Sequence, residues 1–237
     1  MTTTLMSTHD LIVGYGKLAV ARHIDLELEP GSITAVLGPN GAGKTSLLLT
    51  LAGFIPALGG HIELDGSPVK RPSAQKMNQS GVVLVPDSRS LFNQLTPLEN
   101  LRLGSKNGKA GVDAALDLFP GLRPRVKIRT AMLSGGEQQM LAVARALVQE
   151  PRVLLIDEMS MGLAPVIVEQ LVPIVRRVAD ETNAAVLLVE QHVRLALEVA
   201  DRAVVLVHGD VVLDRDAAEL RQNASLLENA YLGGAAH

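Results

Sequence analysis

Short, continuous apolar runs recur along the chain and are typical of strands buried on both faces of a parallel sheet. They occupy residues 33–37, 81–85, 153–156 and 184–189. Stretches with the spacing of helices stand between and after them, at residues 45–52, 133–148, 166–180 and 194–200. Strands that alternate with helices predict an α/β fold built on a parallel sheet.

Other stretches alternate apolar and polar residues, which indicates half-buried antiparallel strands. Residues 21–28 show this pattern, as do residues 61–67, where Asp65-Gly66 is a hairpin signal. A second hairpin is expected at 203–213. We therefore predict an antiparallel β subdomain beside the main sheet. For residues 217–237 the sequence predicts a short helix and a loose tail.

The pattern changes between residues 88 and 127, where prolines and glycines break short helical stretches and no strong strand signal occurs. This interval predicts a mostly helical insertion. We expect a single domain over residues 1–237, in which 1–87 and 151–237 form the core and 88–150 form the inserted, mainly helical subdomain.

Composition narrows the class of protein. Hydrophobic residues make up 47% of the chain and aromatic residues only 2%, as suits a core of aliphatic strands. The formal net charge of −3 argues against a nucleic-acid-binding surface. The absence of cysteine excludes disulfides and thiolate catalysis. No apolar run reaches the ~20 residues needed to span a bilayer, and residues 1–10 do not resemble a signal peptide, so we expect a cytoplasmic protein.

The first candidate site is a glycine-rich segment between the strand at 33–37 and the helix that follows. It fits the P-loop pattern G-x-x-x-x-G-K-[ST], in which backbone N–H groups and a helix N-terminus hold phosphates. Lys44 is expected to reach the β- and γ-phosphates, and the Thr45 hydroxyl to bind Mg²⁺. The alternative is a strand-to-helix turn that binds nothing. The candidate phosphate-binding residues are Gly38, Pro39, Asn40, Gly41, Ala42, Gly43, Lys44, Thr45 and Ser46.

A second candidate lies at Ser134-Gly135-Gly136, before a long amphipathic helix. Ser134 and Glu137 have the spacing of a capping box. Glycine disfavours a helix by about 1 kcal/mol in its interior, so two glycines in the first turn suggest that another group approaches the backbone there.

Two carboxylates, Asp157 and Glu158, end the strand at 153–156. Adjacent strand residues point to opposite faces, so we expect Asp157 to serve a metal ion at the P-loop while Glu158 faces a water. His192 follows the strand at 184–189, at the edge where such sheets bind ligands. Tyr15 precedes the sheet, where its ring could stack on a base or pack at the sheet edge.

The order of the P-loop, Leu133-Ser134-Gly135-Gly136-Glu137, the strand ending in Asp157-Glu158 and the strand before His192 resembles the ATP-binding subunit of ABC transporters. The resemblance covers essentially the whole chain. The segments 85–89, 161–165 and 231–234 look like the LivF-type subunit of branched-chain amino acid importers. The fold implied is an ABC-type P-loop NTPase domain.

The resemblance implies roles for individual residues. Tyr15 would stack on adenine, Asp157 would bind Mg²⁺, and Glu158 would be the general base. His192 matches the switch histidine that contacts the γ-phosphate. Ser134, Gly135 and Gly136 would close over ATP held by a second subunit, which explains the glycines in that turn.

Two positions depart from the common family pattern. Asp87 stands where most members have a glutamine that reaches Mg²⁺, so its role as a metal ligand and in coupling is open. Met159 replaces the proline that commonly follows the Walker B glutamate.

The implied function is ATP hydrolysis that powers an importer, with ATP and Mg²⁺ as ligands. Expected partners are membrane permease subunits and a second ATPase subunit, either a copy of this chain or a LivG-like one, with the protein peripheral on the inner face of the membrane. A urea or amide importer is the nearest alternative. A soluble ABC ATPase acting on nucleic acid or ribosomes, and a P-loop small-molecule kinase, are further ones.

Overall fold

The computed structural model describes residues 4–233 and divides its strands between two sheets. The strands are β1 (Met6–Tyr15), β2 (Leu18–Leu28), β3 (Ile33–Leu37), β4 (Gly59–Leu64), β5 (Ser67–Pro68), β6 (Val82–Val85), β7 (Val153–Asp157), β8 (Ala185–Glu190), β9 (Arg202–Val207) and β10 (Asp210–Asp216).

The helices are α1 (Lys44–Leu51), α2 (Ala74–Gln79), α3 (Pro97–Gly104), α4 (Gly108–Leu118), α5 (Gly135–Leu147), α6 (Pro165–Thr182), α7 (Val193–Val199), α8 (Ala217–Gln222) and α9 (Ala224–Gly233). Two 3₁₀ turns, Pro120–Arg125 and Thr130–Met132, lie between α4 and α5. Among residues 4–233, no helix is both long and apolar enough to cross a bilayer.

The larger sheet has six strands in the order β10-β9-β3-β8-β7-β6. All neighbours pair in parallel except β10, which is antiparallel to β9. Every residue of β3, β7 and β8 is buried, as their continuous apolar runs predict. The α/β fold is confirmed. Because the strands are parallel, the carboxyl ends of β3, β6, β7 and β8 meet at one edge of this sheet.

The smaller sheet has the order β2-β1-β4-β5 and is antiparallel throughout. It confirms the predicted antiparallel strands, including the hairpin at Asp65-Gly66. Alternate residues of β3 belong to two different hydrophobic clusters. Ile33, Ala35 and Leu37 pack with α5, α6 and α7, whereas Val36 packs with α1 and the smaller sheet.

The prediction of a loose tail is wrong for the described part of residues 217–237. A second helix, α9, follows α8, because Leu227 is buried in the core and Tyr231 packs against it. The sequence of α9 has only a weak helical period. Packing against β9 and β10 therefore stabilises this helix more than its local sequence does. Residues 234–237 lie outside the described part. Between residues 88 and 150 the chain forms α3, α4, α5 and the two 3₁₀ turns, and the division into a core and an insertion stays a prediction.

Candidate functional site

The glycine-rich segment lies between β3 and α1 and packs closely on two other strands. A Cβ on Gly43 would stand 2.8 Å from Ala21 Cβ of β2, and one on Gly38 would stand 2.1 Å from the Leu206 carbonyl oxygen of β9. Gly43 also has a φ of 100°, which favours glycine. These contacts hold the loop against both sheets, so its backbone geometry is set by the fold.

The N-terminus of α1 is suited to an anion. Gly43 is the N-cap residue and offers no side chain to the first amides, and the first turn carries no acidic residue. The helix dipole therefore meets no negative side chain there. A cavity of ≈ 300 Å³ opens at this point. It is lined by Val20, Asn40, Gly41, Gly43, Lys44, Thr45, Ser46 and Glu158.

Lys44 is buried and folded back over the loop. Its Nζ donates hydrogen bonds to the carbonyl oxygens of Gly38 and Pro39, each at 2.9 Å. Burial lowers the pKa of Lys44, while the nearby charges of Glu158, Asp157 and Glu190 act in the opposite direction. The ammonium group thus lies among acids at the mouth of an anion site.

Asp157 ends β7 and is only 2% exposed. Burial raises the pKa of Asp157 from 3.8 to about 6, partly offset by a hydrogen bond from the Thr45 side chain and raised further by Glu158 and Asp87. Among the residues that the structure describes, Asp157 Oδ1 has no hydrogen-bond partner. A buried carboxylate with an unpaired oxygen, beside a hydroxyl, is an oxygen donor set that suits a hard divalent cation.

The backbone conformation of Glu158 differs from that of Asp157, which is the last residue of the strand. The strand ends at Asp157, and Glu158 has a φ of 43°, which is unusual for a residue other than glycine. Its N–H donates to the Val189 carbonyl oxygen at 3.0 Å. Strand alternation therefore does not extend to Glu158, and the expected divergence of the two acids stays a prediction.

The Glu158 carboxylate accepts a hydrogen bond of 2.7 Å from Gln191 Nε2. Sequence reasoning missed Gln191, because its place directly after β8 does not distinguish it from the adjacent His192. His192, the residue chosen instead, is exposed and begins α7 without a side-chain capping bond within the described chain. The structure thus brings Gln191 to Glu158.

A buried carboxylate links the ends of β7 and β8. Glu190 accepts hydrogen bonds from the Ser160 backbone N–H at 2.9 Å and from Ser160 Oγ at 2.6 Å. Burial raises the pKa of Glu190, and the two Ser160 bonds oppose that rise. Met159, between Glu158 and Ser160, is buried as well. The turn after β7 is therefore fixed to the end of β8.

The predicted capping box is present at the start of α5. Ser134 Oγ accepts from the Glu137 N–H at 3.3 Å, and Glu137 Oε2 accepts from the Ser134 N–H at 2.8 Å. The bond from the Ser134 N–H lowers the pKa of Glu137. The segment Ser134-Gly135-Gly136 does not line the cavity of Lys44.

The two glycines of that turn differ. Gly136 is buried, and a Cβ there would stand 2.6 Å from Ile167 Cγ2 of α6, whereas Gly135 is exposed with its nearest such contact at 3.5 Å. Packing within the chain therefore accounts for Gly136. Gly135 has no equivalent internal reason.

Tyr15 and Asp87 lie at the edges of the site. The Tyr15 side chain, at the end of β1, is 52% exposed, and its hydroxyl is 3.5 Å from Ser46 Oγ. Asp87 follows β6, is exposed, and accepts a 2.6 Å hydrogen bond from the Ser88 N–H. Asp87 is close enough to Asp157 to raise the pKa of that carboxyl, so both edges face the same site.

Two proteins similar to this chain are both described as branched-chain amino acid transport ATP-binding proteins. The chain is 41% identical to the high-affinity branched-chain amino acid transport ATP-binding protein BraG of Pseudomonas aeruginosa, over 93% of this chain and 96% of BraG. It is 36% identical to the probable branched-chain amino acid transport ATP-binding protein LivF of Archaeoglobus fulgidus, over 92% of this chain and 95% of LivF.

The fold has close structural neighbours. The structure of the ADP conformation of an ATP-binding cassette of an ABC transporter matches with a TM-score of 0.85 at 21% identity, over 98% of this chain and 100% of that one. A nucleotide-free cassette from an ABC transporter matches with a TM-score of 0.82 at 20% identity, over 94% and 95%. The family described as ABC transporter matches residues 21–161, more than half of the chain. The chain therefore belongs to the ABC transporter family, in which it is an ATP-binding ATPase subunit.

Proposed function

We propose that this subunit powers the import of branched-chain amino acids. The observation that carries the proposal is the likeness to BraG and LivF along nearly the whole chain. The solute does not touch an ATPase subunit, so the assignment of substrate depends on that likeness. The assignment of chemistry depends on the cavity that Lys44 and Glu158 share.

We propose that the residues of this cavity bind ATP in the way that the sequence predicts. The loop from Gly38 to Ser46 holds the phosphates, and Tyr15 stacks on the base. Lys44 leaves the Gly38 and Pro39 carbonyls for the phosphate oxygens, which its position at the cavity wall allows. The ammonium group then neutralises negative charge that grows as the γ-phosphate is transferred.

Thr45 and Asp157 are the proposed Mg²⁺ ligands, with Asp87 at the edge. The unpaired Asp157 oxygen and the adjacent Thr45 hydroxyl fit such an ion. A bound Mg²⁺ supplies charge neutralisation at the β- and γ-phosphates. The Thr45 side chain lies close enough to Asp157 to lower the pKa of that carboxyl, so the two proposed ligands are neighbours.

Glu158 is the proposed general base, and His192 the proposed contact to the γ-phosphate. We add Gln191 as the residue that positions Glu158. The amide donates to one carboxylate oxygen of Glu158 and leaves the other free for a water molecule. The backbone bond from Glu158 N–H to Val189 fixes the other end of the residue. The base is therefore oriented before the water is bound.

Hydrolysis is proposed to occur between two subunits. Ser134, Gly135 and Gly136 do not line the Lys44 cavity of their own chain, which supports their use on the ATP of a partner. The partner is a second copy or a LivG-like subunit. Gly135 is the residue of this turn that internal packing does not explain, so its backbone is the strongest candidate for an approach to phosphate.

A permease helix is proposed to dock beside the Asp87 loop, which would hold the subunit at the inner face of the membrane. A groove of ≈ 320 Å³ lies there between α1, α2 and α5, with Phe54, Pro86, Ser90 and Arg145 among its lining residues. Phe54 is 62% exposed. An exposed aromatic side chain at the rim of an apolar groove is a typical anchor for a partner.

The substrate is tested by uptake in the source cell. Labelled leucine, isoleucine, valine and urea are measured with and without this gene, complemented by wild type or by Lys44→Ala. Loss of branched-chain uptake that only wild type restores would support the proposal. Loss of urea uptake alone would move the substrate to the alternative importer. No change in any uptake would contradict both.

A further inference from the structure

Two histidines and a glutamate come together on the smaller sheet, away from the ATP site. His9 of β1 and His61 of β4 are directly opposite each other in the antiparallel register, and their rings stack with centroids 4.9 Å apart. Glu63 is two residues along β4 and therefore points to the same face. The backbone register of two paired strands thus sets this arrangement.

The distances between possible ligand atoms are short. Glu63 Oε2 lies 3.5 Å from His9 Nε2, and Glu63 Oε1 lies 3.3 Å from His61 Nε2. One ligand atom from each residue lies within 4.8 Å of the other two. A tetrahedral zinc ion with bonds of roughly 2.0–2.2 Å needs its ligands about 3.3–3.5 Å apart. Each imidazole nitrogen lies at about that spacing from a different oxygen of Glu63, so the side chains must turn before one oxygen and both nitrogens can surround an ion.

We propose that His9, His61 and Glu63 form a binding site for a divalent transition metal, with Zn²⁺ as the best fit. Two imidazoles and one carboxylate are a ligand set that zinc accepts, with a water molecule as the fourth ligand. Mg²⁺ prefers oxygen ligands, so the site is chemically distinct from the one proposed at Asp157. Bound metal would join β1 to β4 through side chains.

Access and existing contacts are compatible with binding. The side chains of His9 and His61 are 48% and 50% exposed, and that of Glu63 is 22% exposed, so an ion can enter from solvent. The Ser7 hydroxyl lies 3.2 Å from the same His9 nitrogen and would be displaced. Ser7 is opposite Glu63 in the register, where it can turn to the metal-bound water.

The test is a zinc titration of the full chain, freed of metal by chelator, without nucleotide and without a histidine tag. Competition with a chromogenic chelator measures the stoichiometry and affinity. The variants are His61→Ala and Glu63→Gln. The control is His23→Asn, which removes a histidine of the same sheet whose φ of 51° asparagine tolerates.

We expect one zinc ion per chain, a rise in the Tm of wild type with zinc, and an affinity at least ~10-fold weaker in His61→Ala. His23→Asn should bind like wild type. Cobalt in place of zinc should give the absorption of a tetrahedral site, lost in Glu63→Gln. Undetectable zinc binding, or binding that neither His61→Ala nor Glu63→Gln weakens, would overturn the proposal.

Discussion

Glu158 occupies a backbone conformation that few residues other than glycine adopt, and it does so at the wall of the phosphate cavity. Strain of this kind persists only where surrounding contacts hold it. The contacts here are the bond to Val189 and the bond from Gln191. Both keep the carboxylate directed at the cavity.

Replacing the carboxylate tests its role as the base. In Glu158→Gln we expect ATP hydrolysis to fall by about 10²–10⁴-fold, since the amide cannot accept a proton, with nucleotide affinity close to that of wild type. Steady-state hydrolysis and nucleotide titration measure the two quantities. Glu181→Gln, an exposed glutamate on α6, is the matched control. Hydrolysis at the wild-type rate in Glu158→Gln would remove Glu158 from the mechanism.

Gln191 should affect the rate without affecting ATP affinity. Losing its bond to a charged group should lower kcat roughly 10-fold in Gln191→Ala, with KM little changed. Gln191→His keeps an N–H donor and should retain more activity than the alanine variant. Gln191→Glu places a second negative charge beside Glu158 and should be the least active. Equal activity in all three variants would leave the bond without a catalytic role.

Ionised Asp157 is an unfavourable buried charge when no cation neutralises it. Its folded-state pKa of about 6 is above the ordinary 3.8, so protonation stabilises the fold at low pH, and that stability is lost as the pH rises from 3.8 to about 6. With allowance for solvent screening in the adjoining cavity, the cost above this window is on the order of 2 kcal/mol. Without Mg²⁺, Asp157→Asn should therefore be more stable than wild type above about pH 6.

Thermal unfolding across this pH range measures the difference between wild type and Asp157→Asn. The difference should shrink below about pH 4, where the wild-type carboxyl is protonated in both states. Mg²⁺ with ATP should stabilise wild type more than the variant. A constant difference at every pH would show that Asp157 does not carry this charge.

At the level of elements, α5 depends on two features of its first turn that serve different purposes. The capping box satisfies the first amides, while Gly136 lets α6 approach through Ile167. Of these two adjacent glycines, Gly136 is thus needed for packing, whereas a Cβ on Gly135 would meet its nearest neighbour at an ordinary 3.5 Å. Substitutions can separate the two purposes.

Gly136→Ala should destabilise the protein by about 1–3 kcal/mol, because the new methyl group overlaps Ile167. Gly135→Ala should leave the free energy of unfolding unchanged or slightly increased, since alanine favours a helix. Chemical denaturation of both variants measures this. Shortening the neighbour in Gly136→Ala with Ile167→Ala should recover part of the loss. Equal stability in the two single variants would exclude the contact as the reason for Gly136.

Much of the fold could be predicted from the sequence. When one face of an element is buried, apolar residues recur every two positions in a strand and every 3.6 positions in a helix. The loop at Gly38–Ser46 and the acid pair could be predicted because their chemistry fixes residue types at short spacing. Neither the contact of Gln191 with Glu158 nor the helix α9 could be predicted in this way. The role of Gln191 depends on which of two adjacent side chains turns toward Glu158, and α9 depends on packing between segments distant in sequence.

At the level of the whole molecule, the cavity of one chain is lined by the glycine-rich loop and Glu158 but not by the Ser134 turn. In the proposed function, the Ser134 turn of a second subunit completes this site. In that proposal ATP lies between two chains, so we expect the assembly to depend on nucleotide. This dependence can be measured on the hydrolysis-deficient variant.

Glu158→Gln should form a dimer only when ATP is present, because the variant retains the bound nucleotide. Sedimentation of this variant with and without ATP measures the change, with Lys44→Ala, which lacks the phosphate-binding charge, as the control. A dimer that forms with this chain alone would favour two copies. A dimer that forms only with an added LivG-like subunit would favour a pair of two different subunits. A monomer in the presence of ATP, both alone and with the added LivG-like subunit, would contradict the sandwich.

The hydrogen bonds between Glu190 and Ser160 connect the turn after β7 to Glu158 as well as to β8. Chain connectivity runs from Glu158 through Met159 to Ser160, and from Glu190 to Gln191, whose amide returns to Glu158. These five residues therefore form a closed ring of covalent bonds and hydrogen bonds. We therefore expect the position of the turn after β7 and the orientation of Glu158, the proposed base, to be coupled, so that a partner in contact with that turn would change the alignment of Glu158.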